Sequence, residues 1–273
     1  MYPLSLTDNS LLEQRMNNAR KFTDKLARGE TCLGTAITLA DPGICEALCP
    51  EYDFFWIDTE HTALSLEHLR GHFMAVKGSD AAALVRVPWN DPVLIKPVLD
   101  LGADGIIVPM VSTAEDVSRA VAACQYPPQG IRGFGPLRPL NYGRRDASQF
   151  CDEANESLIV VIQIEQVEAV ENIEEILAVP GLTSIAFGPQ DLAASFGYRT
   201  QPQHPEVLAA VKTVVEKAQQ ANIPVGISVG DDPDQLCQWA DMGIQWLAMG
   251  TDATLLIRAA QDVSGKIRQH LQQ

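Results

Sequence analysis

The sequence predicts a single α/β domain folded as a (β/α)₈ barrel, in which eight parallel strands alternate with helices. The first observation is that eight short apolar segments alternate with segments of helical periodicity. The second is that these segments are apolar throughout, which is typical of parallel strands covered by helices on the outside. The third is that 273 residues with 46% hydrophobic content suit one barrel of ordinary size. We therefore expect one domain over 1–273, with its core at about 30–260.

Each predicted strand is a short run rich in β-formers and bounded by Gly, Pro or a charged residue. In chain order the strands are LGTAITL (33–39), FFWID (54–58), AALVRVP (82–88), GIIVPMV (105–111), LIVVIQI (158–164), SIAFG (184–188), PVGISV (224–229) and WLAMG (246–250). The predicted helices between them are 43–52, 65–78, 91–102, 113–126, 167–179, 204–222 and 232–243. An extra N-terminal helix over 10–28 stops at Gly29, and a last helix over 251–271 follows the eighth strand.

Composition excludes several classes of partner. A net charge of −15 argues against binding to nucleic acid or to an anionic membrane surface. No run reaches the roughly 20 apolar residues of a membrane span, and the N-terminus lacks the basic and apolar regions of a signal peptide. We therefore expect a cytoplasmic protein. The six cysteines form no CxxC pair, so we expect free structural thiols.

Two carboxylates follow neighbouring predicted strands. Glu165 comes directly after VVIQI, and Asp191 follows IAFGPQ about one βα unit later. Parallel neighbours in a barrel place their tips side by side, and paired carboxylates favour a hard divalent cation such as Mg²⁺ or Mn²⁺. Gln163 lies two residues before Glu165 and faces the same side of the strand. The alternatives are an ion pair of Glu165 with Arg86 and an N-cap role of Asp191 for the helix that follows it.

A histidine and an arginine lie at two other strand ends. His61 follows the second strand in DTEH, where it can move protons and where Asp58 or Glu60 can orient it. Arg86 ends the third strand, where a guanidinium binds a carboxylate or stabilises an oxyanion; a buried structural ion pair is the alternative. No lysine follows a predicted strand, so Schiff-base chemistry lacks its nucleophile. Together these residues predict proton chemistry beside the ketone of a chelated 2-oxo acid.

The longest irregular stretch, 127–148, concentrates positive charge in an acidic protein. Its arginines are Arg132, Arg138, Arg144 and Arg145. Loops of this length are usually functional or disordered, so we predict an active-site loop that meets an anion. The alternative is a solvated surface loop.

Six motifs taken in order resemble the HpcH/HpaI aldolases over about residues 30–260. They are IDTEH, VRVPWNDPVLIKPVLDLGADGIIVPM, YPPQGIRGFGP, VVIQIE, FGPQDLAASFGY and TDATLL. The resemblance implies a class II aldolase that uses Mg²⁺, Mn²⁺ or Co²⁺ and no organic cofactor. Such an enzyme cleaves a 2-keto-3-deoxy acid, such as 4-hydroxy-2-oxoheptanedioate or 2-dehydro-3-deoxyglucarate, into pyruvate and an aldehyde.

The resemblance also implies a role for each site residue. Glu165 and Asp191 are the metal ligands, Arg86 stabilises the pyruvate enolate, and His61 takes the proton of the substrate 4-hydroxyl. Asp100 raises the basicity of His61; because it ends the third predicted helix, away from the active rim, it acts from a neighbouring subunit or simply closes the helix. The substrate-binding set is Gln163 together with the backbone around Gly188, Pro189, Gln190 and Asp191.

The family resemblance further implies a homo-oligomer, a hexamer whose C-terminal helices are exchanged between subunits. This chain has Thr59 where familiar members have Gly, and Gln190 where they have Ala. Its arginine-rich loop looks closer to dehydrodeoxyglucarate aldolases and macrophomate synthase, so Arg138, Tyr142 or Arg144 is a candidate for binding the distal part of the aldehyde. An oxaloacetate decarboxylase similar to macrophomate synthase is the alternative function, and a barrel subunit without activity is a remote one.

Overall fold

The strands pair in chain order around a closed ring. The computed structural model describes residues 18–272, in which β1 to β8 are all parallel and β8 pairs with β1. The strands are β1 Cys32–Ile37, β2 Phe54–Asp58, β3 Ala82–Arg86, β4 Gly105–Val108, β5 Ile159–Ile164, β6 Ser184–Phe187, β7 Val225–Val229 and β8 Trp246–Thr251. Each predicted strand is present with its bounds shifted by a few residues. The predicted barrel is confirmed.

The helices cover the outside of this ring. They are α1 Asn18–Ala27, α2 Gly43–Leu48, α3 Leu66–Ala75, α4 Pro92–Leu101, α5 Ala114–Cys124, α6 Ala147–Ser157, α7 Val167–Glu171, α8 Ile173–Leu177, α9 Pro189–Ser195, α10 Pro205–Gln220, α11 Pro233–Asp241 and α12 Asp252–Leu271. No helix among residues 18–272 is long and apolar enough to cross a lipid bilayer. The cytoplasmic location stays a prediction.

Two helix predictions need correction. The sequence predicts an irregular stretch to residue 148 and no helix between it and the fifth strand, whereas α6 begins at Ala147. The Asp146 side chain caps it by accepting a hydrogen bond from the Gln149 N–H at 2.8 Å. The single helix expected over 167–179 is two short helices that meet at Asn172. The predicted N-terminal helix is present from Asn18, and its part over 10–17 lies outside the described residues.

Alternate residues of each strand face the barrel interior, which is filled by large rings next to glycines. Trp246 lies inside, and its indole Nε1–H donates to the Ser184 hydroxyl at 3.0 Å. A Cβ atom on Gly226 would lie 1.9 Å from the Trp246 ring, so only glycine fits there. Phe54 approaches Gly34 in the same way, because a Cβ atom on Gly34 would lie 2.4 Å from the Phe54 carbonyl oxygen. These rings fill the lower interior of the barrel, the part near the end where the strands begin.

Helix α1 closes the end of the barrel at which the strands begin. Its Phe22 ring packs edge-on against Phe54 at 5.5 Å and Trp246 at 6.0 Å between centroids. Lys25 of the same helix pairs with Asp53 at 2.7 Å. Because this end is plugged, the interior opens only where the strands end.

The six cysteines are free thiols, as predicted. Cys45 and Cys49 do not form a bridge, and the Cys45 Sγ atom lies 3.4 Å from the Nδ1 atom of the buried His72. Burial raises the pKa of the Cys45 thiol to about 12. This thiol is therefore protonated and unreactive at neutral pH.

Asp104 gives the closed end of the barrel a titrating group. Its carboxylate accepts a hydrogen bond from the Ala83 N–H at 2.8 Å. Burial raises the pKa of Asp104 to about 6, against the opposing effects of the backbone N–H donors and Arg138. The folded chain thus binds a proton here more tightly than the unfolded chain, whose aspartates titrate near about 4.

We expect the Asp104→Asn variant to lose a pH dependence of stability. In the parent protein this group's contribution is greatest below about pH 4 and is lost as the pH rises through about 6, a change of about 3 kcal/mol in all. Urea unfolding at several pH values from 4 to 8 gives the free energy of unfolding of the parent and of the variant. The difference between these two free energies should change with pH. Asp152→Asn on the exposed face of α6 is the control, and a parent–variant difference that stays constant with pH would contradict the assignment.

Candidate active site

The carboxyl ends of β2, β3, β5 and β6 bring most of the predicted site residues to one rim. The register pairs Asp58 of β2 with Arg86 of β3, and Gln163 of β5 with Ala186 of β6. Side chains that face inward at these last positions leave the apolar interior and reach the mouth of the barrel. Their polarity is therefore a consequence of where each strand ends.

Arg86 is held by two carboxylates. Its Nε and Nη2 atoms donate to the two oxygens of Asp58 at 2.9 and 2.8 Å, and its Nη1 atom lies 3.1 Å from Glu60 Oε2. The guanidinium also lies over the Trp56 ring, 5.5 Å from its centroid. Arg86 is thus in an ion pair, but its partners are Asp58 and Glu60, so the alternative pairing with Glu165 is wrong. Of its five N–H donors three are used, which leaves two for an oxygen atom of a ligand.

Glu165 is a buried carboxylate held by two donors. Its side chain is oriented by the Met110 N–H, 2.6 Å from Oε1, and by the Gln163 amide nitrogen, 3.0 Å from Oε2. The amide oxygen of Gln163 is buried and has no hydrogen-bond partner in the described part of the chain. An unpaired acceptor beside a carboxylate suits a cation or a donor group of a ligand.

The turn after β6 packs directly on this pair. A Cβ atom on Gly188 would lie 2.5 Å from Glu165 Oε2, so the glycine leaves the space that the carboxylate uses. Gly188 is the N-cap of α9, Pro189 begins the helix, and Asp191 lies in its first turn. The alternative N-cap role of Asp191 is therefore wrong. The first-turn N–H groups of α9, including those of Gln190 and Asp191, have no partner within the helix and suit an anion.

Negative charge accumulates on this rim. Burial raises the pKa of Glu165 to about 7, and the nearby carboxylates of Asp191 and Glu60 add to the shift, while the Met110 N–H opposes it. Burial also raises the pKa of Glu60, against the opposing charge of Arg86. Carboxyl groups that raise one another's pKa are stabilised as anions by an added cation.

A divalent cation fits this donor set with ligand positions to spare. Within residues 18–272 no group of three or more His, Cys, Asp or Glu side chains is arranged to enclose a metal. With two carboxylates, Glu165 and Asp191, this donor set would hold Mg²⁺ or Mn²⁺ only together with water or substrate oxygens, which would fill the other ligand positions.

His61 lies at the edge of the same rim and is accessible. Its side chain is 65% exposed, and its Nε2 atom lies 3.5 Å from Glu60 Oε2. Thr59 ties this loop to β3, because its N–H and its hydroxyl both donate to the Arg86 carbonyl oxygen at 3.0 and 2.6 Å. The segment that carries His61 is thus fixed to the strand that carries Arg86.

Four predicted residues, Asp100, Arg138, Tyr142 and Arg144, are not brought to this rim within one chain. Asp100 lies near the end of α4 and pairs with the buried Arg132 at 3.1 Å. Arg138 donates to the carbonyl oxygens of Phe73 and Leu101, at the ends of α3 and α4. Tyr142 is 66% exposed on the same loop.

The position of this loop follows from topology. It connects α5 to α6, which leads into β5, and the connection from a helix back to the next strand lies at the amino-terminal face of the barrel, opposite the rim. The interpretation of 127–148 as a loop over the site of its own barrel is therefore wrong. A role of Arg138 or Tyr142 in specificity stays a prediction for the site of another subunit.

One contributor to the site, Met110, was not identified by sequence reasoning. Met110 acts through its backbone N–H, and its φ of 56° is unusual for a residue with a side chain. Asp58 or Glu60 was expected to orient His61; Glu60 does lie 3.5 Å from the His61 Nε2 atom, and both carboxylates also contact Arg86. A main-chain donor leaves no mark in residue type, so only the fold reveals the role of Met110.

Cavities in the described residues of about 470 and 340 Å³ lie around α1, at the closed end of the barrel. They contain none of the polar side chains gathered at the rim. We place the site at the rim because the buried carboxylate, the unpaired amide oxygen and the arginine converge there.

Comparison with known proteins gives a consistent result. The sequence profile of the HpcH/HpaI aldolase/citrate lyase family matches residues 40–259. The chain is 34% identical to 4-hydroxy-2-oxo-heptane-1,7-dioate aldolase of Salmonella paratyphi C (strain RKS4594), over 92% of this chain and 95% of that protein. It is 37% identical to hydroxypyruvate/pyruvate aldolase of Sagittula stellata, over 88% and 94% of the two chains. The crystal structure of HpcH/HpaI aldolase from Desulfitobacterium hafniense DCB-2 superposes with a TM-score of 0.83 at 30% identity, covering 89% of this chain and 95% of that one.

These matches span nearly the whole barrel, including every strand that carries a rim residue. The prediction of an enzyme is confirmed, and the remote alternative of a barrel without activity is not. The chain belongs to the HpcH/HpaI aldolase/citrate lyase family, and it is an aldolase.

Proposed function

We propose that this protein is a divalent-metal-dependent aldolase that makes or breaks a C–C bond of a 2-keto-3-deoxy acid by way of pyruvate enolate. The observation that carries the proposal is the buried Glu165 carboxylate, which shares its charge environment with Asp191, Glu60 and Arg86. A cation held there stands beside an arginine that has two free N–H donors. That combination suits a 2-oxo acid, because its carboxylate and keto oxygens chelate a metal and its enolate needs a positive group.

Each residue has one task in this scheme. Glu165 and Asp191 hold Mg²⁺, Mn²⁺ or Co²⁺, which supplies Lewis-acid polarisation of the ketone when bound. Gln163 and the backbone N–H groups at the start of α9 bind the 2-oxo acid. Arg86 directs its remaining donors at the oxygen on which negative charge develops.

His61 is the proposed base for the 4-hydroxyl of the substrate. Its exposure at the rim leaves the imidazole free to meet a ligand, and Glu60 at 3.5 Å is positioned to stabilise the protonated ring. Asp100 lies at the other end of its own barrel, so its proposed contact with His61 requires a second copy of the chain.

Exposed apolar residues support a homo-oligomer. On α12 the side chains of Leu256, Val263, Ile267 and Leu271 are spaced along one face and are all more than half exposed. Only Asp252 of this helix is buried, and its carboxylate accepts hydrogen bonds from Thr38. We propose that this face packs on another subunit, as in a hexamer with exchanged C-terminal helices. The exposed Phe134 and Leu137 of the arginine-rich loop extend the apolar surface.

Pyruvate is the proposed common product, and the aldehyde is the less defined half of the substrate. The two named relatives act on different oxo acids by their names, 4-hydroxy-2-oxo-heptane-1,7-dioate and hydroxypyruvate or pyruvate. A coupled pyruvate-release assay over a panel of 2-keto-3-deoxy acids, with each metal, tests the proposal. Release of CO₂ from oxaloacetate without any aldol cleavage would instead favour the decarboxylase alternative.

The Asp191→Asn variant should lose metal binding and metal-dependent pyruvate release, because one of two protein ligands is replaced by a neutral amide. Calorimetric titration with Mn²⁺ measures the first and the coupled assay the second. The control is Glu168→Gln, which makes the same kind of change at an exposed position three residues after Glu165. Pyruvate release by Asp191→Asn that persists in excess chelator would refute metal dependence.

The Arg86→Ala variant should lower kcat by about 10²–10³, the loss typical of removing one oxyanion donor. The reason is that the guanidinium, held by Asp58 and Glu60, still has two N–H donors for the oxygen on which negative charge develops. Steady-state kinetics of pyruvate release measure it, with Arg119→Ala on α5 as the surface control. Unchanged kcat in Arg86→Ala would remove Arg86 from the mechanism.

Mixing two inactive variants tests whether Asp100 acts across subunits. His61→Ala and Asp100→Ala should each have little activity, and co-expression should restore about a quarter of the parental activity, because about one site in four then combines the two native residues. Sedimentation of the parent and of the mixture checks that oligomers form. A monomeric parent, or a mixture no more active than its components, would contradict the cross-subunit contact.

A further inference from the structure

The mouth of the barrel has two unlike arcs. On the first arc the last inward positions of β2, β3 and β5 carry the charged groups Asp58, Arg86 and Glu165. On the second arc the inward positions of β7, β8 and β1 are small: Ser228 is half-buried at the mouth, and Ala248 and Ala36 are buried in the interior cluster. A ligand anchored on the first arc lies next to the second, and it cannot extend down into the barrel because the lower interior is filled by aromatic rings.

Ser228 faces the interior of the barrel. Val225 and Ile227 of the same strand are buried in the outer layer against the helices, and Gly226 between them contacts the Trp246 ring inside. Alternation therefore points Ser228 inward. It is also paired in register with Ala248, which belongs to the interior cluster.

The Ser228 hydroxyl is available to a ligand. The serine is half-buried, and no hydrogen bond of its side chain is found within residues 18–272. The other hydroxyl at this arc, that of Thr38, donates to Asp252 at 2.6 Å and is therefore engaged. Asp231, three residues after Ser228, is paired with Arg258 at 2.6 Å, so its charge is offset.

The position of Ser228 relative to the first arc is set by the register. Phe187 pairs with Ile227, so the next residues, Gly188 and Ser228, lie side by side at the tips of β6 and β7. In a ring of eight strands β7 lies opposite β3, so Ser228 is across the mouth from Arg86. A substrate that is bound between Glu165 and Arg86 and extends beyond the first arc therefore lies next to the Ser228 hydroxyl.

We propose that Ser228 is a specificity-determining residue whose hydroxyl hydrogen-bonds an oxygen substituent of the aldehyde half of the substrate. The enzyme then prefers a hydroxyaldehyde to an unsubstituted aldehyde of the same carbon number. This inference rests on the proposed aldolase function, and it concerns the aldehyde rather than the pyruvate half.

The test is aldol addition of pyruvate to glyceraldehyde and to propionaldehyde, two aldehydes of three carbons that differ in their hydroxyl groups. In Ser228→Ala, kcat/KM for glyceraldehyde should fall about tenfold, the loss of about one hydrogen bond, while the value for propionaldehyde stays unchanged. Ser228→Thr retains a hydroxyl and should retain most of the preference. Ser118→Ala, whose hydroxyl bonds the Ala114 carbonyl on the surface of α5, is the matched control and should change neither value.

Each other result overturns the inference. An equal fall for both aldehydes would place Ser228 on the pyruvate half or on the fold, and thermal unfolding of Ser228→Ala separates those two causes. Unchanged kinetics for both aldehydes would remove the residue from recognition. A parent enzyme that adds pyruvate to neither aldehyde and releases pyruvate from no 2-keto-3-deoxy acid overturns the proposed function first, and this inference with it.

Discussion

The register of eight parallel strands in a closed ring is the constraint on which the rest of the structure depends. Because the strands start at a plugged end, every inward position below the rim must be apolar or small, and Trp246, Phe54 and Gly226 satisfy this together. The last inward position of each strand is the first that meets water. Among the inward positions of the strands, charged side chains lie only there, so the same geometry that builds the core also gathers Asp58, Arg86 and Glu165 into one site.

Electrostatics then give that site its chemical character. Glu165 is buried beside other carboxylates, which raises its pKa, and Arg86 is engaged by Asp58 and Glu60. A rim with more carboxylates than cations favours the binding of an added positive ion, and the ion pair keeps the guanidinium in one orientation before substrate arrives. Preorganised charge of this kind is what stabilises a developing enolate. Acidic composition overall is thus compatible with an anionic substrate, because the positive group is local.

The two ends of the barrel have different roles. The closed end contributes to stability and to the proposed assembly, and the open end carries the chemistry. At the closed end Arg138 binds the carbonyl oxygens that end α3 and α4, and Arg132 pairs with Asp100. These arginines lie at the end of the barrel opposite the rim of their own chain. The positive charge of their loop therefore stabilises the fold of that chain. The exposed apolar face of α12 is the surface that we propose packs on another subunit. Assembly is the proposed route by which groups from the closed end of one barrel reach the open end of another.

The eight strands and the placing of Glu165, Asp191, Arg86 and His61 at strand ends can be predicted from the sequence alone, because hydrophobic periodicity and position after a strand are local properties. Helix α6 was missed because its apolar face is narrow, with Phe150 its only buried residue. Three features emerge only once the chain is folded: Arg86 pairs with Asp58 rather than Glu165, the Met110 N–H holds Glu165, and the arginine-rich loop lies at the closed end. Each of them depends on which strands are neighbours or on which end of the barrel a connection lies, and residue type records neither.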